Sequence, residues 1–180
     1  MISAKTNPIH ALPKPSSLNQ SLPNMSARKA HLTDAIALSV LVHKSAILVQ
    51  DDLDDQGRLL VDNTNTSTEF SKRLLDPEYS IFCFEHKQNL LGMISMFQFE
   101  KVDQLFVDPG FFKRGIASLL WEHAHEECKS KNKEGYYWVR SSSMAVPVYL
   151  KFGFCKVGAT QTKNGISHQL LELKTVNSLN

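Results

Sequence analysis

Residues 109–123 read PGFFKRGIASLLWEH. A lone glycine, Gly115, follows Phe112, Lys113 and Arg114 and opens an apolar rhythm of helical period. A helix N-terminus presents unpaired N–H groups and the positive end of a dipole, so it suits an anion. A phosphate reaches those groups only where side chains leave the backbone open. Gly115 and Ala117 are small at alternate positions. The N–H groups from Phe112 to Ile116 would ring a bound pyrophosphate, and Lys113 or Arg114 would add charge at the rim. A glycine that only permits a tight strand-to-helix turn is the other reading. Two common phosphate loops are excluded, because the segment has neither a Gly-Lys-Ser/Thr ending nor a G-x-G-x-x-G run.

Other residue types able to do chemistry are scattered. Asp103 shares strand parity with Leu105 and Val107, so alternation puts all three on one face. Glu100 is a second carboxylate beside it. His123 and His125 are two apart on an expected helix, about 200° around its axis, and cannot clamp one metal. No metal is expected. His168 reads as structural, and Trp121 and Trp138 read as core, with Trp138 able to line a cleft. Cys83, Cys128 and Cys155 are odd in number and widely spaced, which fits small buried free thiols in a reducing compartment.

The elements that must position these residues follow from the pattern. A short strand at 26–30 precedes Thr33 and Asp34, which are N-cap types. Ala35, Leu38, Leu41 and Val42 then mark one face of a helix. Residues 50–68 are polar and read as a long loop with a weak helical turn at RLLV, the kind of segment that walls a substrate site. A second helix spans 69–75. Strands at 79–85 and 90–99 form a hairpin across HKQN, and a third strand covers 102–107. A helix at 115–129, a strand at 136–140 and a short helix at 144–151 capped by Gly153 follow. Two last strands, 154–158 and 167–173, flank a Lys163-Asn164-Gly165 turn. The order β-α-α-β-β-β-α-β-α-β-β predicts an α/β fold with a mixed, mostly antiparallel central sheet and helices on both faces. Residues 25–176 make one domain, 177–180 a C-terminal tail, and 1–24, with four of the seven prolines, a disordered tail or an arm.

VDPGFFKRGIASLL and AVPVYLKFGF together resemble the signatures of the GNAT superfamily, the acetyl-CoA-dependent N-acetyltransferases. Val107, Pro109, Gly115 and Ala117 match its phosphate loop, a V-x-P turn followed by Q/R-x-x-G-x-G/A. Ala145, Tyr149, Gly153 and Phe154 match its late A-x-x-x-Y-x-x-x-G-F. The resemblance covers roughly 26–175. Phe112 stands where the family has Gln or Arg, and Ser142 stands where many members have Asn. The resemblance implies acetyl-CoA as co-substrate, held by backbone groups from Phe112, Lys113, Arg114, Gly115, Ile116 and Ala117, with Ser142 bonding the cofactor. It also implies an amine acceptor, a small molecule or a peptide. It implies Tyr149 as general acid to the departing thiolate, since a phenol is a donor with an ordinary pKa near 10. Backbone N–H groups of Leu105, Phe106 and Val107 would hold the thioester carbonyl. Asp103 would take the amine proton, directly or through water. Without the family, Tyr149 reads equally as an amphipathic ring in the core.

Composition narrows the classes. The chain of 180 residues is 42% hydrophobic and 21% charged, with net charge +2 and no basic stripe. Nucleic-acid and membrane partners are therefore not expected. No signal-like segment opens the chain, and the expected compartment is the cytoplasm. Carboxylates in DDLDD of the polar loop would favour a cationic acceptor, and His43, Asp51 and Asp52 are candidates to touch it. A homodimer is compatible with the resemblance. The rival to an enzyme is a module of the same fold that holds CoA as a sensor or scaffold.

Overall fold

The computed structural model describes residues 25–175. The expected tails, 1–24 and 177–180, lie outside the described residues. The strands are β1 (Met25–Lys29), β2 (Tyr79–His86), β3 (Asn89–Phe97), β4 (Lys101–Val107), β5 (Tyr136–Ser141), β6 (Cys155–Lys163) and β7 (Ile166–Lys174). The helices are α1 (Ala35–Ala46), α2 (Asp55–Thr64), α3 (Ser67–Leu75), α4 (Ile116–Lys129) and α5 (Val146–Lys151). One seven-stranded sheet runs β1-β2-β3-β4-β5-β7-β6. Every neighbouring pair is antiparallel except β4 and β5. The expected α/β architecture is present.

Each face of the sheet carries its own core. On one side Ile116, Leu120, Trp121 and Ala124 of α4 pack on Phe82, Ile94, Val102 and Val139. On the other, Leu38, Leu41 and Val42 of α1 and Phe70 of α3 pack on Ile81, Cys83 and Met93. The α1 positions are the ones its sequence periodicity picks out. Burial pushes the Cys83 thiol up to about 12 and the Cys128 thiol to about 11, so both are inert packing groups. Cys155, expected to be buried, is exposed on β6. Among the described residues no helix is long and apolar enough to cross a membrane.

Two elements depart from the sequence reading. The polar stretch expected as a loop contains α2, begun by Asp54, whose carboxylate accepts from the Gly57 N–H at 2.9 Å. The helix was hard to see because its apolar face is thin. Only Gly57 is buried in it, and Leu60 and Val61 line a cavity instead of a core. The second departure is β6, which runs to Lys163 with all nine residues exposed. An edge strand wet on both faces has no apolar alternation to betray it.

The turn between β6 and β7 holds α2 in place. The Asp54 N–H donates to the Gly165 carbonyl at 3.0 Å, and Leu53 bridges to Ile166. A Cβ on Gly57 would sit 2.2 Å from the Gly165 oxygen. Gly165 itself has φ of +74°. Gly57→Ala is therefore expected to cost about 1–3 kcal/mol in stability through overpacking against rigid backbone. Urea unfolding of the two proteins measures it, and equal midpoints would show that the contact yields freely.

Candidate active site

β4 and β5 start together and part. They are paired only at Lys101 with Trp138 and Val102 with Val139, although β4 continues to Val107 and β5 to Ser141. Beyond Val102 one edge of β4 has lost its neighbour. Amide directions alternate along a strand. The Asp108 N–H reaches back to Leu91 at 2.8 Å on the β3 side. Phe106, two residues earlier, therefore also faces β3, and the N–H groups of Leu105 and Val107 face the gap. The sequence reading had counted Phe106 as a donor as well. Its N–H belongs to the sheet. A cavity of about 590 Å³ fills the gap, with Leu105, Phe106 and Val107 on one wall and Val139 to Ser142 facing them.

Tyr149 of α5 reaches the same cavity. Its ring is packed edge-on against Phe152 and Phe154, at 5.9 and 5.6 Å between centroids. Burial pushes the phenol above its ordinary value, so the hydroxyl keeps its proton at neutral pH and above. Among the described residues that hydroxyl has no hydrogen-bond partner. The ring belongs to the core, as the amphipathic reading expects, and the residue also borders the cavity. Ser142 also lies on the wall, and its carbonyl accepts from Ala145 and Val146 at 3.1 and 3.3 Å to start α5.

Past β4 the chain makes a 3-10 turn, Pro109–Phe111, and enters α4. Asp108 starts that turn by accepting from Gly110 and from Lys44 Nζ, at 2.9 and 2.7 Å. Burial opposes its charge, yet these two donors hold its carboxyl below the usual carboxylate value. Gly115 is the N-cap of α4 with φ 80° and ψ 1°, the left-handed region. That conformation, and not only openness, requires glycine there. The Phe112 N–H is taken by Pro109 at 3.4 Å, so the available ring of donors begins at Lys113. Gly115 carries no side chain, and the first-turn N–H groups of Ile116 and Ala117 have no partner within the helix. Ile116 offers only its backbone, because its side chain is 2% exposed in the core. Arg114 lies over the Phe111 ring at 5.2 Å. Phe112 alone among residues 112–117 borders the cavity.

The expected face of Asp103 is corrected by a β-bulge. Ser95 pairs with Gln104 and Met96 with Val102, so Asp103 is the extra residue. Val102, Leu105 and Val107 pack on the same core, which strict alternation would forbid. Asp103 therefore points away from them, beside Lys101, whose Nζ is 2.5 Å from its Oδ1. It still borders the cavity, from the opposite face.

The acidic loop is largely spent on structure. Asp52 accepts from the Ser143 N–H and Oγ, both at 3.0 Å, and Asp54 caps α2. Asp51 and His43 do not border the cavity. His43 Nδ1 instead meets the Ser39 carbonyl at 2.8 Å. The sequence reading missed several wall residues, among them Arg73, Gln104, Arg140 and Lys163. It also took His168 as purely structural, whereas it borders the same space. Asn65, buried at the end of α2, links two of these: its Oδ1 accepts from Gln104 Nε2 at 2.6 Å, and Gln104 Oε1 accepts from Arg73 at 3.4 Å. Nothing local in the sequence marks them, since four separate elements bring them together.

Residues 49–175 match the family model described as an acetyltransferase (GNAT) domain. The chain belongs to the GNAT acetyltransferases. Solved structures agree in fold. A GCN5-related N-acetyltransferase from Rhodopseudomonas palustris superposes with TM-score 0.73 at 16% identity, covering 86% of this chain and 98% of its own. The PaiA N-acetyltransferase of Thermoplasma acidophilum, in complex with coenzyme A, gives 0.71 at 14% identity, covering 84% and 99%. The ribosomal-protein-S18-alanine N-acetyltransferase of Escherichia coli gives 0.59 at 15%, covering 87% and 98%. At these identities the likeness is one of fold. No curated protein matches the chain in sequence.

Gly115→Ala is expected to lose about 1–2 kcal/mol of stability, because an L side chain resists the left-handed cap. Chemical unfolding reads this directly, and an unchanged midpoint would mean that the cap relaxes to negative φ.

Proposed function

We propose that this GNAT acetyltransferase moves the acetyl group of acetyl-CoA to a primary amine of a small molecule or peptide, by direct attack in a ternary complex. The single observation that carries the reading is the gap between β4 and β5. It leaves the N–H groups of Leu105 and Val107 without a strand partner beside a cavity that Tyr149, buried and protonated, also borders. Such an arrangement fits a thioester, which needs its carbonyl oxygen held and its leaving sulfur protonated.

Acetyl-CoA supplies an acetyl group activated as a thioester. The start of α4 suits its phosphates, since Gly115 leaves the backbone open and Lys113 and Arg114 bring positive charge. The backbone from Phe112 to Ala117 would follow the pyrophosphate, with Phe112 offering its ring and not its N–H. Ser142 would bond the pantetheine arm in the gap. The N–H groups of Leu105 and Val107 would donate to the carbonyl oxygen, a kind of stabilisation worth about 3 kcal/mol of barrier per donor. Tyr149 would hand its proton to the sulfur as the C–S bond breaks. Its raised pKa suits a group that must stay protonated until that moment. Asp103 is the candidate to take the proton released by the amine, through the oxygen that Lys101 leaves free.

Two measurements test this. A thermal melt with acetyl-CoA at about one hundred times its dissociation constant should gain about 2.7 kcal/mol. For a domain of this size that is roughly 5–10 °C. No shift at millimolar ligand would overturn the reading, and a shift without turnover on any amine would favour the non-catalytic module. Tyr149→Phe should keep that shift and lower kcat by about 100-fold or more. The alkaline limb of the wild-type kcat profile should lie well above pH 10, the ordinary phenol value. Normal turnover in the variant would remove Tyr149 from the acid role.

A further inference from the structure

The charges on the cavity wall are unevenly matched. Four cationic side chains border it, Arg73, Lys101, Arg140 and Lys163, against two carboxylates, Asp52 and Asp103. Both carboxylates are already engaged. Asp52 accepts two hydrogen bonds from Ser143, and Asp103 is ion-paired with Lys101. Among the described residues, Arg73, Arg140 and Lys163 form no ion pair. Arg73 spends its donors on neutral oxygens, the Thr64 carbonyl and Gln104 Oε1. The wall thus carries an excess of positive charge, with four cations against two carboxylates, and only Lys101 is paired with one of them.

Arg140 is the best placed of the three. It lies on β5 two residues beyond Trp138, where β5 has left β4. Its guanidinium lies over the Trp138 ring, 5.4 Å from the centroid. Lys101 Nζ lies 5.5 Å from the same ring. The indole is itself fixed, because its Nε1–H donates to Glu100 Oε1 at 3.4 Å. Glu100 is outside the wall. Arg140 is therefore held against a flat, anchored ring with its N–H fork unclaimed by any carboxylate. A planar guanidinium so presented matches a carboxylate through two parallel hydrogen bonds.

We propose that the acceptor is a small amine that also carries a carboxylate, with Arg140 as its anchor and Arg73 and Lys163 keeping the surroundings positive. This rests on the acetyltransferase reading and narrows its substrate. It replaces the cationic acceptor that the DDLDD segment suggests. Asp54 caps α2, and Asp51 and Asp55 do not border the cavity, so the segment brings one carboxylate to the wall, Asp52, which is held by Ser143. A polycation would instead meet a wall on which cations outnumber carboxylates four to two. The phosphate loop has Lys113 and Arg114 of its own and does not need Arg140.

The test is initial rates with acetyl-CoA on amino acids, each paired with its own carboxamide, and on spermidine. The acids should give kcat/KM at least tenfold above their amides, and spermidine should be slowest. Arg140→Gln should raise KM for the acids about tenfold, leave KM for the amides unchanged and keep the acetyl-CoA melt shift. Arg140→Lys should restore part of the loss. Arg140 is exposed on β5, so its variants are expected to fold, and the same melt checks this. Equal rates for acids and amides, or a preference for spermidine, would overturn the carboxylate acceptor and leave the acetyltransferase standing. Transfer to none of them, with the melt shift intact, would overturn the carboxylate acceptor, and rates on a panel of peptide amines would then decide between a peptide acceptor and the non-catalytic module.

Discussion

Everything at the site depends on two strands that pair twice and then separate. A parallel ladder normally satisfies the alternate amides that face the neighbouring strand. Here β4 gives up that satisfaction beyond Val102, and the amides of Leu105 and Val107 are left facing a cavity. An unsatisfied buried N–H is costly, so a chain keeps one only where something else can use it. The rest of the fold keeps this gap open. The bulge at Asp103 bends β4 at the fork, and α4 and α5 follow the C-terminal ends of the two diverging strands. Tyr149 is thereby delivered to the cavity, and Gly115 starts the helix that follows β4.

The two halves of the cavity have different characters because different faces of the sheet supply them. The side toward α4 and α5 is aromatic and aliphatic, with Tyr149 wedged among Phe152 and Phe154. A phenol buried there loses the solvation that would favour its anion, and so it holds its proton. The side toward α2 and α3 is polar and built on Asn65, Gln104 and Arg73, each bonded to the next. A buried polar chain of this kind fixes its members' positions, because breaking one bond leaves the others unpaired. One face thus holds a proton and the other holds a charge distribution.

Much of the scaffold was legible in the sequence, and the reasons are local. The apolar spacing of α1, the hairpin of β2 and β3, and the start of α4 at Gly115 each follow from neighbours within a few residues. So do the two motifs around Gly115 and Tyr149. What escaped depends on partners far away along the chain. The bulge at Asp103 reflects pairing with Ser95 and Met96, and no residue type announces it. Phe106 and Leu105 look alike as amide donors until the register with β3 is known. Helix α2 buries too little to show a stripe, and the cations of the wall come from α3, β4, β5 and β6.

The clasp between Gly57 and Gly165 sets how the acceptor side behaves in time. Helix α2 has one buried residue, and that residue has no side chain. Little apolar area holds the helix down, while backbone contact at the β6–β7 turn keeps it in register. Segments of that kind open far below the cost of global unfolding. The wall beside Leu60 and Val61 is thus held to the sheet by backbone contact more than by buried apolar area.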